Sequence, residues 1–344
     1  MSEEDIDFSQ HGVPKTDEPF DESLFPYVCD AHCHPHDDIA NISMIRQLQT
    51  GHITIMGVRQ DDWDMVSKVA AECNNERENM CIPSFGIHPW FCYRLMIEEK
   101  SANEHYKSVL TCPHEDELEQ MIHDLKDPFP YEVWYQNLRQ RLLDHPNAIV
   151  GEIGLDRAAK LLPGGAIEWH GVKATNVQCS IEHQLRIFEI QSNLARELDR
   201  GISAHCVQGQ GHLYNYLKEQ SGQYSNRKLK KLNKPFSPLR LCLHSYGGSP
   251  ATIHQFMQLN GFKIYISFSA VINARLLPTE KFIELIKAVP EDRLLIESDL
   301  NSPKGLDTCM IEITKIIAQT RQWSVQKVVQ VTQKNWQEFV GLCK

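Results

Sequence analysis

The chain has 344 residues, enough for one large α/β barrel or two ordinary domains. A hydrophobic share of 42% and a charged share of 23% are ordinary for a soluble globular protein, and no run approaches the ~18 apolar residues of a membrane span. A net charge of −10 argues against a protein that coats nucleic acid through clustered Lys and Arg, while leaving room for an enzyme that meets a phosphodiester locally through bound cations.

Residues 1–25 are acidic and poor in apolar side chains, which predicts a disordered tail. The opening residues suit neither a secretory signal nor an Arg-rich transit peptide, so the expected location is the cytoplasm or nucleus. From residue 26 to 344 a single domain is expected. Short β-rich apolar runs lie near 27–31, 53–58, 81–87, 148–153, 202–205, 239–243, 263–268 and 293–298. Segments of helical period separate most of them. In 181–198, Ile181, Leu185, Phe188, Ala195 and Leu198 form one apolar stripe, and Val325 to Val340 reads as a closing helix.

Eight strands alternating with helices predict a closed (β/α)₈ TIM-type barrel. No Gly-x-Gly-x-x-Gly fingerprint follows an early strand, which lowers the open nucleotide-binding alternative. Residues 92–140, 158–178 and 219–238 read as long βα-loop insertions. The last contains the one basic stretch, Arg227 to Lys234, read as a solvated loop. Eleven scattered cysteines, an odd number without a Cys-x-x-Cys pair, read as reduced thiols, with Cys206 a small packing residue.

Metal-competent residues recur at the ends of these runs. His32 and His34 follow the first, two apart, so both imidazoles can face one side of an extended strand. Asp30, His36, Asp37 and Asp38 add ligand-type groups around them, and residue types alone do not say which two bind. Glu152 lies among strand residues, where a charge is costly unless paired or coordinated; a metal bridge competes with a salt bridge to Arg59 or Arg157. His205 and His244 close successive runs in equivalent places. Asp299 ends the last run, beside the first in a barrel. It can bind a metal and take a proton from water, or cap the next helix, a role Asn301 or Ser302 could fill instead. His88 ends the third run and either contacts a substrate phosphate or packs under Trp90. Such ligands suit Zn²⁺ or Mn²⁺, and a carboxylate-bridged pair also accepts Mg²⁺.

The segments Asp30 to His34, Gly86 to Pro89, Gly151 to Asp156, Gln184 to Leu198, Ala204 to Cys206, His244 to Gly248, Tyr265 to Ser269 and Leu295 to Asp299 together resemble the TatD family of metal-dependent hydrolases, within the wider amidohydrolase-like barrel superfamily. The resemblance implies two divalent cations. His32, His34 and Asp299 would hold one, His205 and His244 the other, with Glu152 between them and Asp299 as proton acceptor. It also implies removal of nucleotides from DNA ends through a metal-activated water. Three positions depart from the family pattern: Arg157 stands where Tyr is common, Val207 where an arginine is common, and Ser298 where Thr is common. The insertions and acidic tail resemble a divergent fungal branch whose members are described as partners of a tetratricopeptide subunit of a cell-cycle ubiquitin ligase. The leading expectation is therefore a phosphodiesterase or deoxyribonuclease. The alternatives are a protein-interaction scaffold with an idle metal site, and a barrel hydrolase of a small amide, lactone or base.

Overall fold

The computed structural model describes residues 12–167, 171–224 and 237–343. Among these, the strands in chain order are β1 (Cys29–Cys33), β2 (His52–Met56), β3 (Cys81–Phe85), β4 (Leu110–Thr111), β5 (Ile149–Asp156), β6 (Gln178–Cys179), β7 (Ile202–Val207), β8 (Leu239–Leu243), β9 (Phe262–Ser269) and β10 (Leu294–Glu297). All but β4 and β6 form one parallel sheet in the order β1-β2-β3-β5-β7-β8-β9-β10. Every residue of β1, β3, β5, β8 and β10 is buried, as parallel strands require when helices cover one side and a packed interior fills the other. A 3₁₀ helix, Ile39–Gln47, follows β1. α-Helices Trp63–Glu76, Tyr131–Asp144, Ile181–Glu197, Gln210–Ser221, Pro250–Met257 and Thr279–Ala288 follow the next six barrel strands, and Leu306–Arg321 and Val325–Val340 complete the ring.

The two edges of the sheet meet just beyond β1 and β10, nearly closing the expected (β/α)₈ barrel. There the N–H of Asp299 donates to the carbonyl of His32 at 3.0 Å, and the N–H of His34 donates to the carbonyl of Leu300 at 2.7 Å. Below them the buried Asp30 carboxylate accepts from both the N–H and the hydroxyl of Ser298. The barrel floor is plugged by the last helix. Trp336, Phe339 and Val340 pack against Cys29, Ile82, Ile149, Cys242, Tyr265 and Leu295, and the Trp336 indole donates to Thr54 at 2.8 Å.

Three expectations change. The run at 81–87 stops as a strand at Phe85, while that at 148–153 continues to Asp156 and so brings a further carboxylate to the mouth. Residues 12–25, expected as the end of a disordered tail, pack instead. Val13 and Phe25 are buried, Lys15 pairs with Glu312 at 2.7 Å, and Glu18 accepts from the N–H of Val325. A few apolar anchors are enough to order a polar segment against two finished helices. The insertions at 92–140 and 158–178 join into one lobe through the antiparallel pair β4–β6, with Asn176 N–H donating to Glu117 at 2.7 Å. Residues 1–11 and the basic stretch 227–234 lie outside the described residues. No helix among the described residues is long and apolar enough to cross a membrane, and all eleven cysteines are free.

Candidate metal centre

Glu152 lies at the middle of the barrel mouth, buried, and five imidazoles surround it. Its Oε2 is 3.2 Å from His34 Nε2 and 3.5 Å from His32 Nε2. Its Oε1 is 2.8 Å from His205 Nδ1 and 3.2 Å from both His244 Nε2 and His88 Nε2. Burial opposes its ionisation, yet His88, His244 and His32 overcome this and hold the carboxyl well below the usual range. Neither arginine named as a salt-bridge partner is there. Arg59 lies over the Phe91 ring at 5.3 Å, and Arg157 is exposed.

Local geometry explains how the chain places this carboxylate. A Cβ on Gly151 would come 2.9 Å from Ser84 Oγ and 3.0 Å from Ser203 Cβ. One on Gly154 would come 2.0 Å from the His205 carbonyl oxygen. Only glycines on either side of Glu152 let β5 lie this close to β3 and β7.

On the Oε2 side, His32 Nε2 and His34 Nε2 are 3.1 Å apart, and Asp299 Oδ1 is 3.6 and 3.8 Å from them. The other ring nitrogen of His32 is 2.8 Å from Ser203 Oγ, and the tautomer in which Nδ1 donates to that hydroxyl leaves Nε2 a lone pair for a cation. Ligand atoms around a tetrahedral Zn²⁺ are about 3.4 Å from one another, given bonds of 2.0–2.1 Å. Separations of 3.1–3.8 Å among His32, His34 and Asp299 therefore fit a small cation, with Glu152 Oε2 beside both imidazoles. With no cation, His34 must take a proton. Burial opposes that charge, but Glu152 and Asp299 raise the imidazole to about 9.

The Oε1 side is arranged differently from expectation. His205 and His244 both face Oε1, but His205 groups with His88 and Glu152, while His244 groups with His32 and Glu152 and stacks on the His32 ring at 3.7 Å. His205 has a further partner in Asp156, whose Oδ2 is 3.2 Å from His205 Nε2 and also accepts from the Trp90 indole at 2.7 Å. Its other oxygen accepts from the N–H groups of Ala158 and Ala159. Burial works against the Asp156 charge, but His205 and Trp90 hold its carboxyl down at about 2. The same pair of carboxylates, Asp156 and Glu152, lifts His205 to about 10 against its burial. His244 keeps one buried ring nitrogen, Nδ1, without a partner.

His88 is buried, and its Nδ1 accepts from the N–H of Trp90 at 3.2 Å, so its Nε2 carries the proton and donates to Glu152. Burial pushes its imidazole down to about 4. It packs edge-on to Trp90 and steadies Glu152. Asp299 is 17% exposed, accepts from Ser245 Oγ at 3.1 Å through Oδ2, and sits at φ +54°, which turns it into the mouth. It caps no helix; neither does Ser302, whose hydroxyl donates to Asp38. Burial raises the Asp299 carboxyl. Among the surplus groups near His32, His36 is buried with neither ring nitrogen hydrogen-bonded, its Nε2 lying 3.7 Å from Asp37, and Cys206 belongs to none of the ligand groups.

Sequence reasoning missed the supports. Gln191 exchanges two hydrogen bonds with the backbone of Ile87, accepting at 2.8 Å and donating at 3.2 Å. Gln184 does the same for Asp156, at 2.7 and 3.0 Å. Both amides project from Ile181–Glu197 and fix the backbone beside His88 and at Asp156.

A sequence profile for the family described as TatD related DNase matches residues 29–341. The chain is 33% identical to the Cut9-interacting protein scn1 of Schizosaccharomyces pombe, across 91% of this chain and 98% of that protein. It is 26% identical to the uncharacterized deoxyribonuclease YMR262W of Saccharomyces cerevisiae, across 78% of this chain and 82% of that protein. Among solved structures, the TatD homolog YJJV of Escherichia coli superposes with a TM-score of 0.57 at 19% identity, covering 92% of this chain and 98% of that one. A TatD family hydrolase from Entamoeba histolytica gives 0.57 at 15%, covering 91% and 97%. At those identities the likeness speaks to the fold.

Proposed function

The chain belongs to the TatD related DNase family, and from that membership we propose a phosphodiesterase that takes nucleotides from DNA ends with two divalent cations, Zn²⁺, Mn²⁺ or Mg²⁺. The observation that carries this reading is the division of Glu152: each carboxylate oxygen faces its own set of imidazoles. His32, His34 and Asp299 would hold one cation, and His205 and His244 the other, with Glu152 shared. The 3.1 Å approach of two Nε2 atoms fits a donor set built for cations rather than protons. Bound there, divalent cations acidify water and neutralise charge growing on a phosphoryl group.

The chain's own groups do the rest. Asp299, the most exposed of the inner carboxylates, takes the proton of the attacking water, and Ser245 orients it. Glu152 holds the ligands in one frame, and His88 holds Glu152. The name of the budding-yeast relative, a deoxyribonuclease, supports the substrate class.

The test is degradation of end-labelled single-stranded DNA by purified protein with Mg²⁺, Mn²⁺ or EDTA, beside Asp299→Asn. Metal-dependent loss of label that is absent in the variant is the expected result. Absence of cleavage under every metal, with metal bound, would sink the nuclease reading and favour a small-molecule substrate.

A second reading, docking to a partner protein, draws on the name of the fission-yeast relative, which records interaction with Cut9. The lobe formed by 92–140 and 158–178 is the surface proposed for it. Deleting the lobe should lose capture of a purified tetratricopeptide partner while metal content stays unchanged; retained capture counts against this surface.

A further inference from the structure

Beside the histidine cluster lies a second cavity, of about 390 Å³ with its open mouth, lined by Arg59, Gln60, Ile87, Phe91, Arg94 and Phe129 among others. Three buried nitrogens on its lining residues have no hydrogen-bond partner: Arg59 Nε, Gln60 Nε2 and Arg94 Nε. All three carry hydrogens, so these residues bring surplus donors to a lining whose one carboxylate, Asp61, is exposed. A buried donor left unmade costs about 1–3 kcal/mol, and three on residues around one cavity favour an acceptor-rich guest there.

The two guanidinium groups are poorly neutralised. Arg59 has its one ion-pair partner, Asp62, at 3.8 Å, and no carboxylate reaches ion-pair distance of Arg94 among the described residues. Aromatic faces hold both in place: Arg59 lies 5.3 Å from the Phe91 ring and Arg94 4.4 Å from Phe129. The Arg94 charge also bears on the Tyr106 phenol. Exposed Asp61 is the acidic residue on the lining. The space is adjacent to the metal centre. Phe91 forms a wall of it while its ring lies 6.4 Å from that of His88, and Arg59 follows two residues after Gly57, whose carbonyl accepts from Glu152 N–H.

We infer that this cavity is a subsite for a non-scissile backbone phosphate of a single-stranded polynucleotide, held by Arg59, Gln60 and Arg94. Planar guanidinium forks match phosphate oxygens in pairs. The inference rests on the phosphodiesterase reading and deepens it.

The test uses metal-loaded full-length protein and a labelled, hydrolysis-resistant phosphorothioate 8-mer, followed by fluorescence anisotropy over a salt series. Arg59→Gln and Arg94→Gln should each weaken binding roughly tenfold and reduce the slope of log affinity against log salt by about 0.7. Hydrolysis of bis(4-nitrophenyl) phosphate, a diester without a second phosphate, should stay within about twofold of wild type. Gln60→Met, which removes an unpartnered donor without emptying the wall, should show a smaller loss in the same direction and guards against a folding artefact. Unchanged affinity and slope in all three variants, with wild-type binding intact, would overturn the subsite and leave the nuclease reading standing. Equal loss against the small diester would also overturn it, since the arginines would then act at the metal centre. If wild type hydrolyses the small diester but does not bind the 8-mer, both the polynucleotide reading and the subsite fall.

Discussion

The two oxygens of Glu152 look out on neighbourhoods built in different ways. On the Oε2 side, His32 lies on β1, His34 just past it and Asp299 just past β10, and backbone hydrogen bonds across the seam fix them directly. On the Oε1 side, His205 is held by Asp156, Asp156 by Trp90 and Gln184, and the residue before His88 by Gln191. One half of the site is set by main chain with the single hydroxyls of Ser203 and Ser245 in support, the other by a relay of side chains. The relay half should therefore respond more to substitutions that never touch a ligand atom.

The largest effect should come from the group common to both halves. Glu152→Gln removes the one anion shared by five imidazoles, and metal content measured by mass spectrometry should fall below about a tenth of wild type, with cleavage lost. Full retention of metal would remove Glu152 from its shared position. Next come the halves taken singly. His34→Asn and His205→Asn should each cost about one equivalent of metal if two cations bind. Equal loss of all metal in both variants would mean one cation and an undivided site.

The contrast between the halves is drawn more finely by Asp156→Asn and Ser203→Ala. Asp156 gives His205 a charged partner, whereas Ser203 gives His32 a neutral one. Charge-assisted hydrogen bonds are about twice as strong as neutral ones, so Asp156→Asn should weaken metal binding ~10–100-fold and Ser203→Ala clearly less. Similar losses would erase the distinction. Proton release checks the same point. Below about 9 to 10 the metal-free His34 and His205 hold protons that a cation must displace, so affinity should rise with pH through that range. Calorimetry in two buffers at pH 7.5 should register that release, reduced in Asp156→Asn.

What was legible in the sequence follows the same division. The strand-end positions of His32, His34, Glu152, His205, His244 and Asp299 could be read because a charged or imidazole residue ending an apolar run stands out from its neighbours. The relay could not. The stripe of Ile181, Leu185, Phe188, Ala195 and Leu198 was drawn from apolar side chains, but the buried face of that helix turns to include His183, Gln184, Ile187, Gln191 and Ser192. Periodicity reads hydrophobicity, and an amide spent on strand backbone counts as polar in that reading. The lobe was hidden for a related reason, since β4 and β6 have two residues each, too short for any alternation to show.

The smallest effect to be sought is Gln191→Leu. Leucine nearly matches the volume of glutamine, so little cavity opens, but the N–H and carbonyl of Ile87 lose their partners inside the protein. Each unpaired buried group costs about 1–3 kcal/mol, part of which the added apolar contact offsets, so urea melts should show a loss of about 2 kcal/mol with an unchanged m value. His88 follows Ile87 directly, and its grip on Glu152 Oε1 depends on where that backbone lies. Cleavage should therefore fall in kcat more than in KM, while metal equivalents remain. A substitution that removes a hydrogen bond elsewhere in the barrel, Thr50→Val beside Asp307, touches no ligand relay and should lower stability alone. If Gln191→Leu also lowered stability alone, the relay would be scaffolding, and the two halves of the mouth would differ in construction without differing in what they do for the reaction.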